Sequence, residues 1–204
     1  MSYSRYTRLA TGLYARTIAR YLSRKRCARV KPWLEGDVLD IGCGGESSLA
    51  DHLAGGQRYV GIDVQEAVIQ ALREQKPEWE FHCIDIEQDG RLLDVVRSEF
   101  DTIVLLAVIE HLHDPTVVLK QCRALLKPGG HLVITTPSAA GDRLVRAFKR
   151  LLGVKHEELE MYSPHQANYN ERTLQEMVAG DGHFRIECYK TFEFGLNQLV
   201  VASG

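Results

Sequence analysis

The chain has 204 residues, 45% hydrophobic and 25% charged, a balance that fits one folded domain and excludes a wholly disordered chain. The net charge of −2 hides an asymmetry: residues 1–34 hold nine Lys or Arg and no Asp or Glu, and the remainder holds 16 basic and 27 acidic residues. This distribution excludes a general nucleic-acid binder and leaves the basic arm open to a local anionic partner. No apolar run approaches the roughly 20 residues of a membrane span; the longest is Ile103 to Ile109. Five dispersed cysteines with no C-x-x-C pair suit free thiols in a reducing cytoplasm, neither a disulfide framework nor a zinc site.

In chain order, Tyr6, Leu9, Ala10, Leu13, Tyr14, Ile18, Tyr21 and Leu22 form one apolar stripe at helical spacing. This predicts a basic amphipathic helix over 1–34, docked as a lid on a body over 35–204. Although Arg-rich like an organelle presequence, the arm lacks the apolar core and cleavage site of a secretory signal. Asp37 to Ile41 reads as a buried strand entering the turn Gly42-Cys43-Gly44-Gly45. A helix over Ser47 to Ala54, a strand over Tyr59 to Ile62 and a helix over Gln65 to Gln75 follow. Next come a strand at Trp79 to Ile84, a helix at Arg91 to Ser98 and a strand at Phe100 to Val108. A helix at Thr116 to Leu126, stopped by Pro128-Gly129-Gly130, leads to a strand at His131 to Thr136. The alternation predicts an α/β doubly wound, mostly parallel sheet. Phe184 to Phe194 and Leu196 to Ala202 sit so close together that they form an antiparallel hairpin. Residues 137–170 fit no sheet unit and read as a lid-like insert, followed by a helix at Thr173 to Ala179.

Ligands of such sheets bind outside the carboxyl ends of the strands. Four features fall there: Asp40-Ile41-Gly42-Cys43-Gly44-Gly45; Asp63, which closes the second strand; Asp85, which closes the third; and Glu110-His111-Leu112-His113-Asp114-Pro115 after the fourth. The glycines permit a tight turn and close backbone approach. An acid after the second strand suits the two hydroxyls of a ribose. A nicotinamide dinucleotide fits poorly, because Ser47 replaces the third glycine of its fingerprint and Glu46 would face the pyrophosphate.

With L-K-P-G-G-H-L-V-I-T-T-P added, the five motifs in this order resemble the class I S-adenosylmethionine-dependent methyltransferases, in their small-molecule branch. The likeness covers about residues 36–136 and extends to the terminal hairpin. It implies a Rossmann-like seven-stranded sheet of order 3-2-1-4-5-7-6, its last strand antiparallel, with helices on both faces. It also implies S-adenosylmethionine as methyl donor and S-adenosylhomocysteine as product. By position, Asp40, Gly42, Cys43 and Gly44 would face the methionine moiety. Asp63 would hold the ribose, with Val64 beside the adenine. Asp85 would accept from the adenine amine, Ile86 would back the ring, and Ala107 would close the pocket near the sulfonium. The chemistry agrees: three acids and a glycine turn match an ammonium, a diol and an exocyclic amine.

Methyl transfer needs alignment above all, and a base only where the acceptor must lose a proton. His111, His113, His165 and Tyr169 are the candidates, His165 first and His111 next. Some relatives bind a metal with a Glu-His pair and a further carboxylate; Ala107 stands at that further position here, so no metal is expected. The basic segments, the arm and Arg143 to Arg150, suit an anionic, lipid-linked or glycan-linked acceptor, or a peripheral membrane contact. The reading is a small-molecule methyltransferase acting at oxygen. The alternatives are a catalytically inactive donor-binding scaffold and, further off, a protein or RNA methyltransferase.

Overall fold

The computed structural model describes residues 20–45, 49–88, 91–151 and 167–204. Seven strands form one sheet: β1 (Val38–Ile41), β2 (Tyr59–Asp63), β3 (Glu80–Cys83), β4 (Phe100–Leu106), β5 (Leu126–Pro137), β6 (Arg185–Phe192) and β7 (Asn197–Ser203). Their order is β3-β2-β1-β4-β5-β7-β6. β1 to β5 run parallel, and β7 pairs antiparallel with both β5 and β6. β7 lies between two strands, which explains why six of its seven residues are buried. The topology matches the expected one.

Alternation along the strands separates two cores. Leu39, Ile41, Ile103, Leu105, Leu132 and Ile134 face α4 (Pro115–Leu125) and α6 (Glu171–Ala179), which contribute Val118, Cys122, Leu174 and Val178. Val38, Tyr59, Val104, Val133 and Val201 face the other way. There they meet Cys27 and Val30 of α1, a helix over 20–30, and Ile69 and Leu72 of α2 (Glu66–Gln75). Each buried Leu or Ile contributes roughly 1.5–3 kcal/mol. Among the described residues, no helix is long and apolar enough to cross a membrane.

Local chemistry sets the boundaries. Asp114 accepts from the Thr116 amide at 2.9 Å, and Pro115 fills the first turn of α4, so that helix starts where a cap and a fixed φ coincide. Asn170 and Thr173 form a capping box that opens α6 two residues earlier than expected. The short helix α3 covers only Arg91–Val95. The helix expected over 47–54 is, among the described residues, only a 3-10 turn at Ala50–His52. Burying Leu49 and Ala50 meets the core's need, and nine residues between glycine pairs make a poor α-helix. The Pro-Gly-Gly stretch lies inside β5 instead of ahead of it. Phe100 pairs with Leu126 and Thr102 with His131, so the extra residues form a bulge. Lys127 holds that bulge on β4 through Asp101 at 2.7 Å.

The insert begins with α5 (Ala139–Leu151), and residues 152–166 lie outside the described set, as do residues 1–19 of the arm. Ser138 fastens α5 to the turn between β6 and β7: its amide donates to Leu196 O at 2.9 Å and its hydroxyl to Gly195 O at 2.7 Å. Gly141 packs so closely that a Cβ there would strike the Leu196 carbonyl. Gly141→Ala is therefore expected to cost about 1–3 kcal/mol through overpacking. A thermal melt should show the loss as a drop of several degrees.

Candidate functional site

β1 ends at Ile41 and the chain turns at once, with Gly42 at φ 74 and Gly44 at φ 63, a region open to glycine at little cost. The turn is tied to the next strand. The amides of Gly42 and Cys43 both donate to Ile62 O, at 2.7 and 2.9 Å. One step on, the Gly44 amide donates to Asp63 Oδ2 at 3.1 Å, and the Gln65 amide donates to Asp63 Oδ1 at 2.9 Å. Asp63 thus holds the glycine turn with one oxygen and the entrance to α2 with the other. A carboxylate has about four lone-pair positions, so accepting capacity remains for a ligand. The Ile84 amide donates to Asp63 O at 3.0 Å, which brings Asp85 and Ile86 to the same edge.

Asp40 lies on the Val38 side of β1, 3% exposed, and accepts from the Tyr59 hydroxyl at 2.7 Å. Burial raises its pKa to about 7; the Tyr59 bond lowers it in part and the Asp63 charge raises it further. Burial, followed by the charges of Asp40 and Asp63, also pushes up the Cys43 thiol, which suits an inert side chain. Val64 is 63% exposed, an apolar surface left open beside Asp63. Asp85 is exposed and accepts from the Glu87 amide at 3.1 Å, while Ile86 is buried. Ala107 has φ 57, a strained value for a residue with a Cβ, and its amide donates to Thr135 O at 2.8 Å. The next side chain, Val108, occupies the space that a Cβ on Gly42 would need.

Beyond Ala107 the edge is polar and closed. Glu110 is 2% exposed and accepts from the Thr136 hydroxyl at 3.0 Å. Burial raises its pKa to about 7, against the opposing effects of backbone hydrogen bonding, Arg26 and Thr136. The Ala167 amide donates to Glu110 O at 3.3 Å, and Tyr169 O accepts from Gln198 Nε2 at 3.0 Å. Arg26 reaches over from α1 to Asn197 Oδ1 at 3.5 Å.

Residues 6–183 match the family model of a methyltransferase domain. The chain belongs to that family. It is one of the class I S-adenosylmethionine-dependent methyltransferases. A ubiquinone biosynthesis O-methyltransferase of Alkalilimnicola ehrlichii is 37% identical over 109 residues, 50% of this chain and 42% of its own length. The match thus spans less than half of that relative. A SAM-dependent methyltransferase from Archaeoglobus fulgidus has a TM-score of 0.65 at 19% identity, covering 91% of this chain and 94% of its own. The magnesium protoporphyrin IX methyltransferase of Synechocystis with bound S-adenosylhomocysteine has a TM-score of 0.56 at 18% identity, covering 93% of this chain and 82% of its own. The two structures share the fold.

In this methyltransferase the strand ends bring Asp40, Gly42, Cys43, Gly44, Asp63 and Val64 together, with Asp85 and Ile86 one strand further and Ala107 across β1. His111 is half-buried, and its amide donates to Val108 O at 2.9 Å. His113 is exposed and engaged with Glu87 at 3.2 Å, away from the buried edge. His165 lies outside the described residues. Sequence reasoning missed the roles of Tyr59, Arg26 and Thr136. Glu110 stood in a quoted motif, and its place directly after Val108-Ile109 was a signal that an acid would be buried.

Asp40 and Glu110 both hold protons in the folded state that the unfolded chain releases near pH 4. The stability they contribute is full below about pH 4 and is lost as pH rises through 7, on the order of a few kcal/mol at most. The apo protein should therefore melt lower at pH 8 than at pH 5. Asp40→Asn should remove much of that loss and melt above the wild type at pH 8, as read by calorimetry at both pH values.

Proposed function

We propose that this methyltransferase transfers the methyl group of S-adenosylmethionine to a hydroxyl of a small-molecule acceptor. The observation that carries the donor side is a buried carboxyl, Asp40, with no cation among the groups that act on it. The influences acting on Asp40 are burial, a tyrosine hydroxyl and the charge of Asp63, and none of them is a cation. A ligand with an ammonium group supplies the missing positive charge and returns Asp40 to its ionised form. Asp63 keeps lone pairs for the two ribose hydroxyls, and Val64 with Ile86 offers apolar surface to the adenine. Asp85 takes the exocyclic amine, and the glycine turn lets the backbone approach the amino-acid end. When bound, the donor supplies a methyl group on a sulfonium, already activated for displacement. The work left to the chain is to align the acceptor and to accept its proton.

Oxygen as the acceptor atom is supported by the name of the Alkalilimnicola relative, an O-methyltransferase. His111 and His165 are candidate bases on the acceptor side. The exposed Arg24, Lys25 and Arg29 of α1, with Arg143 of α5, favour an anionic, lipid-linked or glycan-linked acceptor and allow peripheral contact with an anionic membrane.

Calorimetric titration with S-adenosylhomocysteine tests the donor site. Asp63→Ala should weaken binding by about 100-fold, near 3 kcal/mol. Equal affinity in wild type and variant overturns the donor assignment. In turnover against an acceptor panel, the base is the histidine whose change to Ala lowers kcat by about 100-fold or more while product binding persists. Tight donor binding with no turnover on any acceptor would favour the scaffold reading.

A further inference from the structure

Three buried side-chain atoms lack a hydrogen-bond partner among the described residues: Arg26 Nε, Glu110 Oε1 and Thr135 Oγ1. Glu110 and Thr135 belong to the ends of β4 and β5, and Arg26 on α1 lies close enough to Glu110 for each to act on the other's charge. Thr135 lies next to Thr136, which holds the other oxygen of Glu110, and Thr135 O holds the amide of Ala107. Leaving one such atom buried and unpaired costs about 1–3 kcal/mol, and more for a charged group. Arg26 is held only loosely, with Nη2 at 3.5 Å from Asn197, and burial lowers its pKa. Glu110 is a buried acid with one free oxygen. An unpaired donor and an unpaired acceptor, sharing one edge beside the strained Ala107, describe a ligand group that both donates and accepts a hydrogen bond.

A hydroxyl meets both demands with one oxygen. A carbonyl has no hydrogen to give to Glu110, and an ammonium has no lone pair for Arg26. We propose that Arg26 and Glu110 hold the acceptor's hydroxyl between them, Arg26 Nε–H donating to its oxygen and Glu110 Oε1 taking its hydrogen. This rests on the methyltransferase reading above and assigns the proton to Glu110 instead of to either histidine. On methylation, the hydroxyl proton passes to Glu110 as the new carbon–oxygen bond forms, and the carbon–sulfur pair leaves with the donor's sulfur. One positive and one negative charge are neutralised together. Arg26 on α1 and Tyr169 ahead of α6 interact electrostatically with Glu110, and Glu193 in the β6–β7 turn acts on Arg26.

The probe is 4-nitrocatechol, a small aromatic hydroxyl compound, titrated into the full chain saturated with S-adenosylhomocysteine, with binding followed by calorimetry. The wild type should bind it. Glu110→Gln and Arg26→Gln should each weaken binding by about tenfold or more. Both should keep the wild-type affinity for S-adenosylhomocysteine, and the double variant should lose less than the two single losses combined, because both residues touch one oxygen. Arg26→Lys keeps the charge but not the Nε–H and should behave like Arg26→Gln. If Arg26 serves only to anchor α1, Arg26→Lys and Glu110→Gln will bind the probe as the wild type does, and the proposal falls. It falls equally if the wild type binds S-adenosylhomocysteine but not the probe. Failure of the wild type to bind S-adenosylhomocysteine overturns the donor reading instead.

Discussion

The carboxylate of Asp63 and the Ile62 carbonyl beside it hold together everything at the functional edge of the sheet. Three consecutive amides of the turn after β1 end on these two groups, at 2.7 to 3.1 Å. Without them the glycine turn has no defined path, because glycine pays the largest entropic penalty for being fixed in one conformation. The remaining oxygen of Asp63 starts α2, and its backbone carbonyl receives the β3 loop. One residue thus sets the relative positions of three strand ends. In a parallel sheet these ends lie in one row, so local hydrogen bonds between neighbouring loops are enough to shape a continuous site.

The same edge carries electrostatic strain. Asp40 and Glu110 are buried acids raised to about 7, the first without a cation and the second with one unpaired oxygen. Neither is there for stability: a buried carboxyl without a full set of partners opposes folding. They stand on either side of Ala107, a residue with a left-handed backbone. Unfavourable backbone and unfavourable charge at one place are what a site shows when its partners arrive with the ligands. Asp40 suits a positive ligand and Glu110 a hydrogen-bond donor, so the two acids offer the edge two different chemistries.

Much of this was legible in the sequence because it is local. Strand β4 is a β-branched run, α4 begins at Asp-Pro, and the hairpin strands are too close to be anything but antiparallel. The acids Asp40, Asp63 and Asp85 were legible because each stands at or near the end of a strand, and the ends of parallel strands converge. What could not be read depends on pairing across the chain. The Pro-Gly-Gly stretch looks like a helix stop until Asp101 supplies the partner for Lys127. Among the described residues, the helix expected after the glycine turn is a 3-10 turn, where Leu49 and Ala50 already satisfy the core. Arg26 was one basic residue among nine, with nothing in its neighbours to show that it turns inward. Tyr59 read as an ordinary strand residue, yet its hydroxyl is the partner that Asp40 keeps.

The reversed strand β7 explains how Arg26 reaches the functional edge. Because β7 runs antiparallel to β5, its first residue, Asn197, lies opposite Pro137 at the functional edge, and Ser203 lies opposite His131 at the far one. A parallel β7 would place the chain's last strand residues at the functional edge and take the β6–β7 turn away from it. As built, the turn stands over the ends of β4 and β5, and α1 docks on it twice. Arg29 lies over the Phe192 ring at 5.5 Å and Arg26 reaches Asn197. A cation–π contact of this kind is worth about 0.5–1 kcal/mol at an exposed site, enough to orient a helix whose apolar anchors are Cys27 and Val30. The basic arm is therefore not a tail with a uniform positive charge. Its cations differ in use: Arg29 fixes the helix, Arg26 is carried into the site, and Arg24 and Lys25 stay in solvent. Reversing one strand is what allows that division.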